Sequence, residues 1–309
     1  MASSFRAIDY SIRPAKHIER KMLAETFRRL DKFCAIDLYQ YVGFGSIYFS
    51  DFLLFHKILG IKEMVSIELD TNNKDRFEFN RPFNCIKMKF GHSNIVLPTL
   101  NFKKKTITWL DYDGTLNSNV LQDISTVCFN STSGSILTVS VNARNLDNIE
   151  ALGDLVGEGK VPLGITKKDL HKWGTAKVYR DIITNEITQT LQNRNSLATK
   201  EDSFVYKQLF NFHYSDDVEM LTVGGIIFQN KYLDTYQSCD FENIPFVKPD
   251  SEPFLIKVPR LTYREIRHLD KQLPTKSVSK ILASAIPQAD LEHYAKLYRY
   301  FPTFAETFV

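Results

Sequence analysis

Between residues 38 and 142 five short runs rich in β-branched and aromatic side chains alternate with stretches of helical period. The runs predict strands over 38–43, 63–69, 86–90, 106–110 and 135–142. The stretches between them predict helices over 49–59 (ended by Gly60), 94–100 and 117–129, with a polar connector or short helix over 71–80. Strands joined through helices cross over right-handedly into a parallel, doubly wound sheet. Two longer apolar runs follow, Phe204 to Tyr214 and Met220 to Gln229, separated only by Ser215-Asp216-Asp217-Val218-Glu219. Five residues cannot make a helical crossover, so these runs predict an antiparallel hairpin at the edge of the sheet.

The first strand runs into Tyr41-Val42-Gly43-Phe44-Gly45-Ser46, and the second into Ser66-Ile67-Glu68-Leu69-Asp70. Glycines at 43 and 45 allow a tight turn and a close approach, because neither carries a Cβ. A carboxylate such as Glu68 at a strand's carboxyl end can accept hydrogen bonds from two vicinal hydroxyls. The pattern is shorter than a full dinucleotide fingerprint, since Ser46-Ile47-Tyr48 stands where a third glycine would fall.

Residues 9–31 predict an amphipathic helix with Pro14 in its first turn, where a missing N–H costs nothing. Arg13, Lys16 and Arg20 lie three and four apart and share a face, expected to be solvated or, as the alternative, to cover an anionic ligand. Residues 144–202 read as a mainly helical insertion broken by Gly153, Gly157, Gly159 and Gly164. From about 236 the chain is punctuated by five prolines from Pro245 to Pro274. The expected division is therefore a domain over 1–235 and an appendage over 236–309, helical over 262–271 and 288–300.

A formal charge of +3 over 309 residues gives no argument for nucleic acid, and short clusters such as Lys103-Lys104-Lys105 read as solvated surface. Cys34, Cys85, Cys128 and Cys239 are far apart and form no Cys-x-x-Cys pair, so neither a zinc site nor a disulfide framework is expected. With no signal-like N-terminus and no apolar run near 18 residues, the expected location is cytoplasmic.

Five alternating units, Gly-x-Gly after the first strand, an acid after the second and a terminal hairpin resemble the class I S-adenosylmethionine-dependent methyltransferases over residues 38–230, in particular a bacterial group labelled O-methyltransferases. The resemblance implies a Rossmann-like methyltransferase fold and S-adenosylmethionine as cofactor. It assigns Gly43, Phe44, Gly45 and Ser46 to the methionine end, Glu68 to the ribose hydroxyls, and Gly91-His92-Ser93 to the adenine, with His92 as a binder. Asp111, ending strand four, falls near the transferred methyl. Amino-group methyltransferases end that strand in Asn/Asp-Pro-Pro-Tyr. Asp111-Tyr112-Asp113-Gly114 has neither proline, which points to oxygen as the acceptor.

Asp111 and Asp113 are the expected catalytic pair. Together they are also candidates to hold Mg²⁺ orienting a diol, as in catechol-type O-methyltransferases. Each candidate acid also has a structural alternative: Asp111 capping the following helix, Asp113 making the turn, and Glu68 standing as a strand-end surface charge. Two further readings compete. Trp109-Leu110-Asp111-Tyr112-Asp113-Gly114-Thr115-Leu116 is similar to the first motif of haloacid-dehalogenase-like phosphatases, with Asp111 as nucleophile, Asp113 as acid/base, and Ser140 and Asp216-Asp217 as later motifs. The aromatic residues Tyr10, Tyr39, Tyr41, Phe44 and Tyr48 suit a catalytically silent methyltransferase-fold subunit that only binds a nucleotide or scaffolds another protein chain through the insertion or the appendage, or else simply the core. His213, like His92, falls at a strand end near the expected site.

Overall fold

The computed structural model describes residues 13–302, so Tyr10 and the first residues of the predicted N-terminal helix lie outside it. Eight strands form one sheet in the order β3-β2-β1-β4-β5-β7-β6-β8. They are β1 (Gln40–Gly43), β2 (Glu63–Glu68), β3 (Ile86–Phe90), β4 (Thr106–Thr115), β5 (Ser135–Asn142), β6 (Phe204–Ser215), β7 (Glu219–Gln229) and β8 (Phe254–Ile256). The first five are parallel, and β6 and β7 form the expected antiparallel hairpin. The α-helices are α1 (Pro14–Arg28), α2 (Ser50–Leu59), α3 (Lys74–Asn80), α4 (Ser93–Val96), α5 (Ser118–Asn130), α6 (Ile149–Val156), α7 (Trp173–Arg194), α8 (Leu233–Ser238), α9 (Tyr263–Asp270) and α10 (Gln288–Leu297).

Local signals account for most boundaries. Pro14 opens α1, and Gly60 ends α2 with φ 72°, a left-handed value that glycine adopts without strain. Asn117, not Asp111, caps α5 by accepting from the amides of Asn119 and Val120. β5 is buried along its whole length, including its polar residues Ser135, Thr138, Ser140 and Asn142.

Two elements depart from expectation. The hairpin is not the edge of the sheet: β8 pairs parallel with β6, through Phe212↔Phe254 to Tyr214↔Ile256. A three-residue strand has too few positions to show a period of two, so only its partner defines it. β4 also continues past Leu110, with a bulge between Asp111 and Thr115 before it pairs again with Asn142. The bulge re-aims the side chains at the carboxyl end of this central strand.

Period-2 alternation splits the core into two layers. Tyr41, Trp109, Phe210, Phe212 and Tyr214 face α1 and α2. Phe246, Ile256 and Tyr300, from the region beyond 236, complete that layer. Val42, Leu110, Val139 and Val223 face α5 and α7 on the opposite side.

Candidate active site

β1 and β4 are neighbours, with Gly43 beside Trp109, although the chain leaves β1 towards β2 on one side and enters β4 from β3 on the other. The sheet therefore reverses its winding between them, and open α/β sheets bind ligands at such a switch point, beyond the carboxyl ends of the strands. The Gly43–Ser46 loop, Glu68 and Asp111 all lie at these ends.

In the loop, Gly45 N donates to Ser66 Oγ at 3.2 Å and Tyr48 N to Ser46 Oγ at 3.2 Å. A Cβ on Gly43 would stand 2.6 Å from the Tyr41 hydroxyl, and one on Gly45 3.1 Å from the Phe49 ring. Both glycines are thus required by the chain's own packing under the loop. Phe49 has φ 47° at the start of α2, a costly conformation for an aromatic residue and one that tends to occur at functional sites. Phe44 packs edge-on against Tyr112 at 4.9 Å.

Glu68 is half-buried and accepts from Asp70 N at 3.1 Å through Oε1. Burial pushes its carboxyl up to about 7, against the lowering effect of the Asp70 and Leu69 amides. His92 is exposed just before α4. The neighbouring Ser93 hydroxyl donates to Asp123, which also accepts from the Tyr112 hydroxyl at 2.6 Å, tying the loop after β3 to α5.

Lys16, on the face for which solvent was expected, is 1% exposed. Its ammonium meets Asp111 Oδ1 at 2.5 Å, Glu19 Oε2 at 2.8 Å and the Tyr214 hydroxyl at 3.0 Å, and sits 4.5 Å above the Trp109 ring. Burial alone would pull the ammonium down, but Asp111 and Glu19 outweigh it and hold it well above the ordinary lysine range. Glu19 is fully buried and accepts from Tyr214 at 3.1 Å and from Thr222. Lys16 thus occupies the position at Asp111 where Mg²⁺ was a candidate. Among the described residues no group of three or more His, Cys, Asp or Glu could hold a metal ion.

Arg20, one turn further along α1, is 7% exposed, and its Nε has no hydrogen-bond partner. It is not solvated either. Its charge acts on Asp51 and Tyr41, whose carboxylate and hydroxyl bond each other directly below Gly43. The structure thus brings Gly43, Gly45, Glu68 and Asp111 to one end of the sheet and adds two buried cations from α1. The only trace of these in the sequence is the three- and four-residue spacing of Arg13, Lys16 and Arg20.

The profile of a methyltransferase family described as "Putative O-methyltransferase" matches residues 8–309. The chain belongs to this family. No curated protein matches it. Among solved structures it is similar to Trm1 from Pyrococcus horikoshii with S-adenosyl-L-methionine, at 11% identity over 71% of this chain and 56% of that one, with a TM-score of 0.45. It is also similar to a probable spermidine synthase from Corynebacterium glutamicum, at 8% identity, 68% and 63% coverage and a TM-score of 0.43. An rRNA methylase from Streptococcus thermophilus matches at 8% identity, 71% and 99% coverage and a TM-score of 0.37. The chain thus spans less than two thirds of the length of the first two.

In this methyltransferase family member Ser140 and Asp216, later motifs of the phosphatase reading, are engaged in the packing. Ser140 is fully buried, accepting from Trp109 Nε1 at 2.9 Å and sharing a 2.6 Å bond with Thr222. Asp216 accepts from the amides of Ala15 at 2.9 Å and Lys16 at 3.3 Å and pairs with Arg13 at 3.5 Å. Asp113 is exposed in the β4 bulge. Tyr39 and Tyr41, candidates for a docking surface, are fully buried core. No helix among the described residues is long and apolar enough to cross a membrane.

His213 is 1% exposed, stacks on Trp173 at 4.9 Å, and has no partner for either ring nitrogen. Burial, with a smaller effect from Lys177, pulls it down to about 4. A folded-state value below the unfolded ~6.5 means that the unfolded chain binds the extra proton between those limits, so this stability is present above ~6.5 and is lost as pH falls towards 4. His213→Gln removes that dependence. Urea midpoints of wild type and variant at pH 7 and pH 4.5 are expected to diverge in the variant's favour by on the order of 1–3 kcal/mol at the lower pH. Equal pH slopes would refute the assignment.

Proposed function

We propose that the protein transfers a methyl group from S-adenosylmethionine to an oxygen acceptor, at the switch point between β1 and β4. The observation that carries this reading is the convergence of a half-buried Glu68, an Asp111 carboxylate with one oxygen uncommitted, and a buried Arg20 beside the glycine loop. The donor set suits the cofactor's two ends. Glu68 has one oxygen beyond its backbone bond to accept from ribose hydroxyls. Arg20 offers Nε to a carboxylate, and such a bond would relieve the cost of an unpartnered buried donor. Gly91, His92 and Ser93 would border the adenine.

When bound, the cofactor supplies a methyl group on a positively charged sulfur. Positioning is most of what such a transfer asks of the protein. Glu68 and Arg20 would hold the two ends of the cofactor so that this methyl faces an acceptor oxygen at Asp111. The hydroxyl proton passes to Asp111 Oδ2, while Oδ1 stays on Lys16. Lys16 thereby fixes the direction in which Asp111 points. Asp113, exposed two residues on, would take part only through the bulge that presents Asp111. Residues 1–235 are read as the cofactor-binding region, while the segment beyond 236 adds β8 to the sheet and completes one core layer.

Isothermal titration with S-adenosylhomocysteine tests the reading. Binding is expected in the wild type, and Glu68→Ala is expected to weaken it by about 1–3 kcal/mol by removing charge-assisted hydrogen bonds. Because Glu68 titrates near 7, affinity should rise as pH increases from 6 to 8 in the wild type and stay flat in Glu68→Gln. Unchanged affinity in Glu68→Ala would remove the ribose assignment.

A further inference from the structure

β6 runs parallel to β5, because each is antiparallel to β7, and β8 runs parallel to β6. The carboxyl ends of β4, β6 and β8 therefore share one edge of the sheet. A cleft of about 1290 Å³ opens there, lined by Arg13, Trp173, His213, Tyr214, Lys257 and Arg260 among others. The buried Tyr214 and Lys16 stand between it and Asp111, the ammonium meeting Tyr214 at 3.0 Å and Asp111 at 2.5 Å.

Three features of this cleft lack a structural explanation. His213 is buried with neither ring nitrogen satisfied, whereas buried polar groups normally have partners. Trp173 stacks on that ring, lines the cleft and is only half-buried. The residue before it, Lys172, is held at φ 52°, with its amide donating to Asn145 Oδ1 at 2.5 Å, so strained backbone sets Trp173 at the head of α7. The charges are unbalanced as well. Asp216 is occupied by Arg13 and two α1 amides, Asp270 accepts from the Tyr294 hydroxyl at 2.6 Å, and the exposed Asp217 leaves three acids on the lining against Arg13, Lys257, Arg260 and Arg267. Among the described residues, Lys257 and Arg260 have no acid partner.

We propose that the cleft is a ligand subsite separate from the Asp111 centre and takes a hydroxylated aromatic anion, with its ring against Trp173, its hydroxyl on His213 and its acid group between Lys257 and Arg260. It stands independently of the methyl-transfer reading above. A planar ring suits the indole face, and a hydroxyl suits a neutral imidazole in either tautomer, because it both donates and accepts. Two unpaired cations at the rim favour an anion over its neutral ester.

The test titrates the full chain with 2-, 3- and 4-hydroxybenzoate, with and without S-adenosylhomocysteine, by calorimetry and tryptophan fluorescence. Trp173 and the buried Trp109 are the only tryptophans. At least one hydroxybenzoate is expected to bind with a Kd below about 1 mM and to quench fluorescence. Trp173→Leu should abolish the quench and weaken binding about tenfold or more, and the methyl ester should bind about fivefold or more weakly. Lys257→Gln with Arg260→Gln, surface changes that leave the core intact, should weaken the acid but not the ester. The inference is overturned if none of the three acids binds, or if affinity is unchanged in both variants. Hydroxybenzoate binding without S-adenosylhomocysteine binding would sink the cofactor reading and keep the cleft; the reverse would keep the cofactor and sink the cleft.

Discussion

Lys16→Met is expected to destabilise the protein by about 3–5 kcal/mol, because removing one member of a buried ion pair leaves its partner charged and uncompensated. Glu19 is fully buried, and without the ammonium it keeps only two neutral hydroxyl donors, Tyr214 and Thr222. Asp111, with a side chain a quarter exposed, can recover part of its loss from water. The cost therefore falls mainly on Glu19, which makes a specific double variant informative. Lys16→Met with Glu19→Leu removes both charges of the fully buried pair and should recover at least half of the single-variant loss, since apolar replacement of a buried pair is often neutral. Urea unfolding of wild type, both single variants and the double completes the cycle. A Lys16→Met loss below about 1 kcal/mol would mean that the ammonium is solvated and that α1 does not seat on the sheet in this way.

Arg20→Leu is expected to act in the opposite sense on stability and strongly on binding. In the ligand-free protein Arg20 Nε is a buried donor without an acceptor, and Asp51 compensates only at a distance. Removing the guanidinium should therefore leave the unfolding midpoint unchanged or raise it. S-adenosylhomocysteine should bind about 2–5 kcal/mol more weakly, the range for losing one side of a buried charge pair. 5′-Methylthioadenosine, which has the same adenosine but no amino-acid carboxylate, should bind wild type and variant alike. Equal losses for both ligands would move Arg20 away from the carboxylate, and a lowered midpoint would make it a structural residue instead.

These two residues also mark how far the sequence could be read. The strands at 86–90 and 135–142, the helix ended by Gly60 and the hairpin beyond 204 were legible, because each signal lies within a few residues of its element. The acid ending β2 was legible as well, because a strand boundary tells where a side chain will stand. Arg13, Lys16 and Arg20 share a helix face as predicted, but no local rule assigns that face to the interior. A lysine becomes tolerable there only beside acids, and Asp111 lies 95 positions away. β8 was invisible for a related reason, since three residues show no pattern until β6 is laid beside them. Trp173 gave no sign either, because its significance depends on His213, 40 positions later in the chain, stacking against it.

By itself, then, the sequence determined a mostly parallel sheet and the residues standing at its strand ends, since hydrophobic period and turn chemistry act over short distances. The strand order that makes a switch point, which charges are buried, which oxygen of Asp111 is committed and which cleft opens beside His213 were decided only by tertiary structure, because desolvation and ion pairing depend on neighbours far apart in the chain.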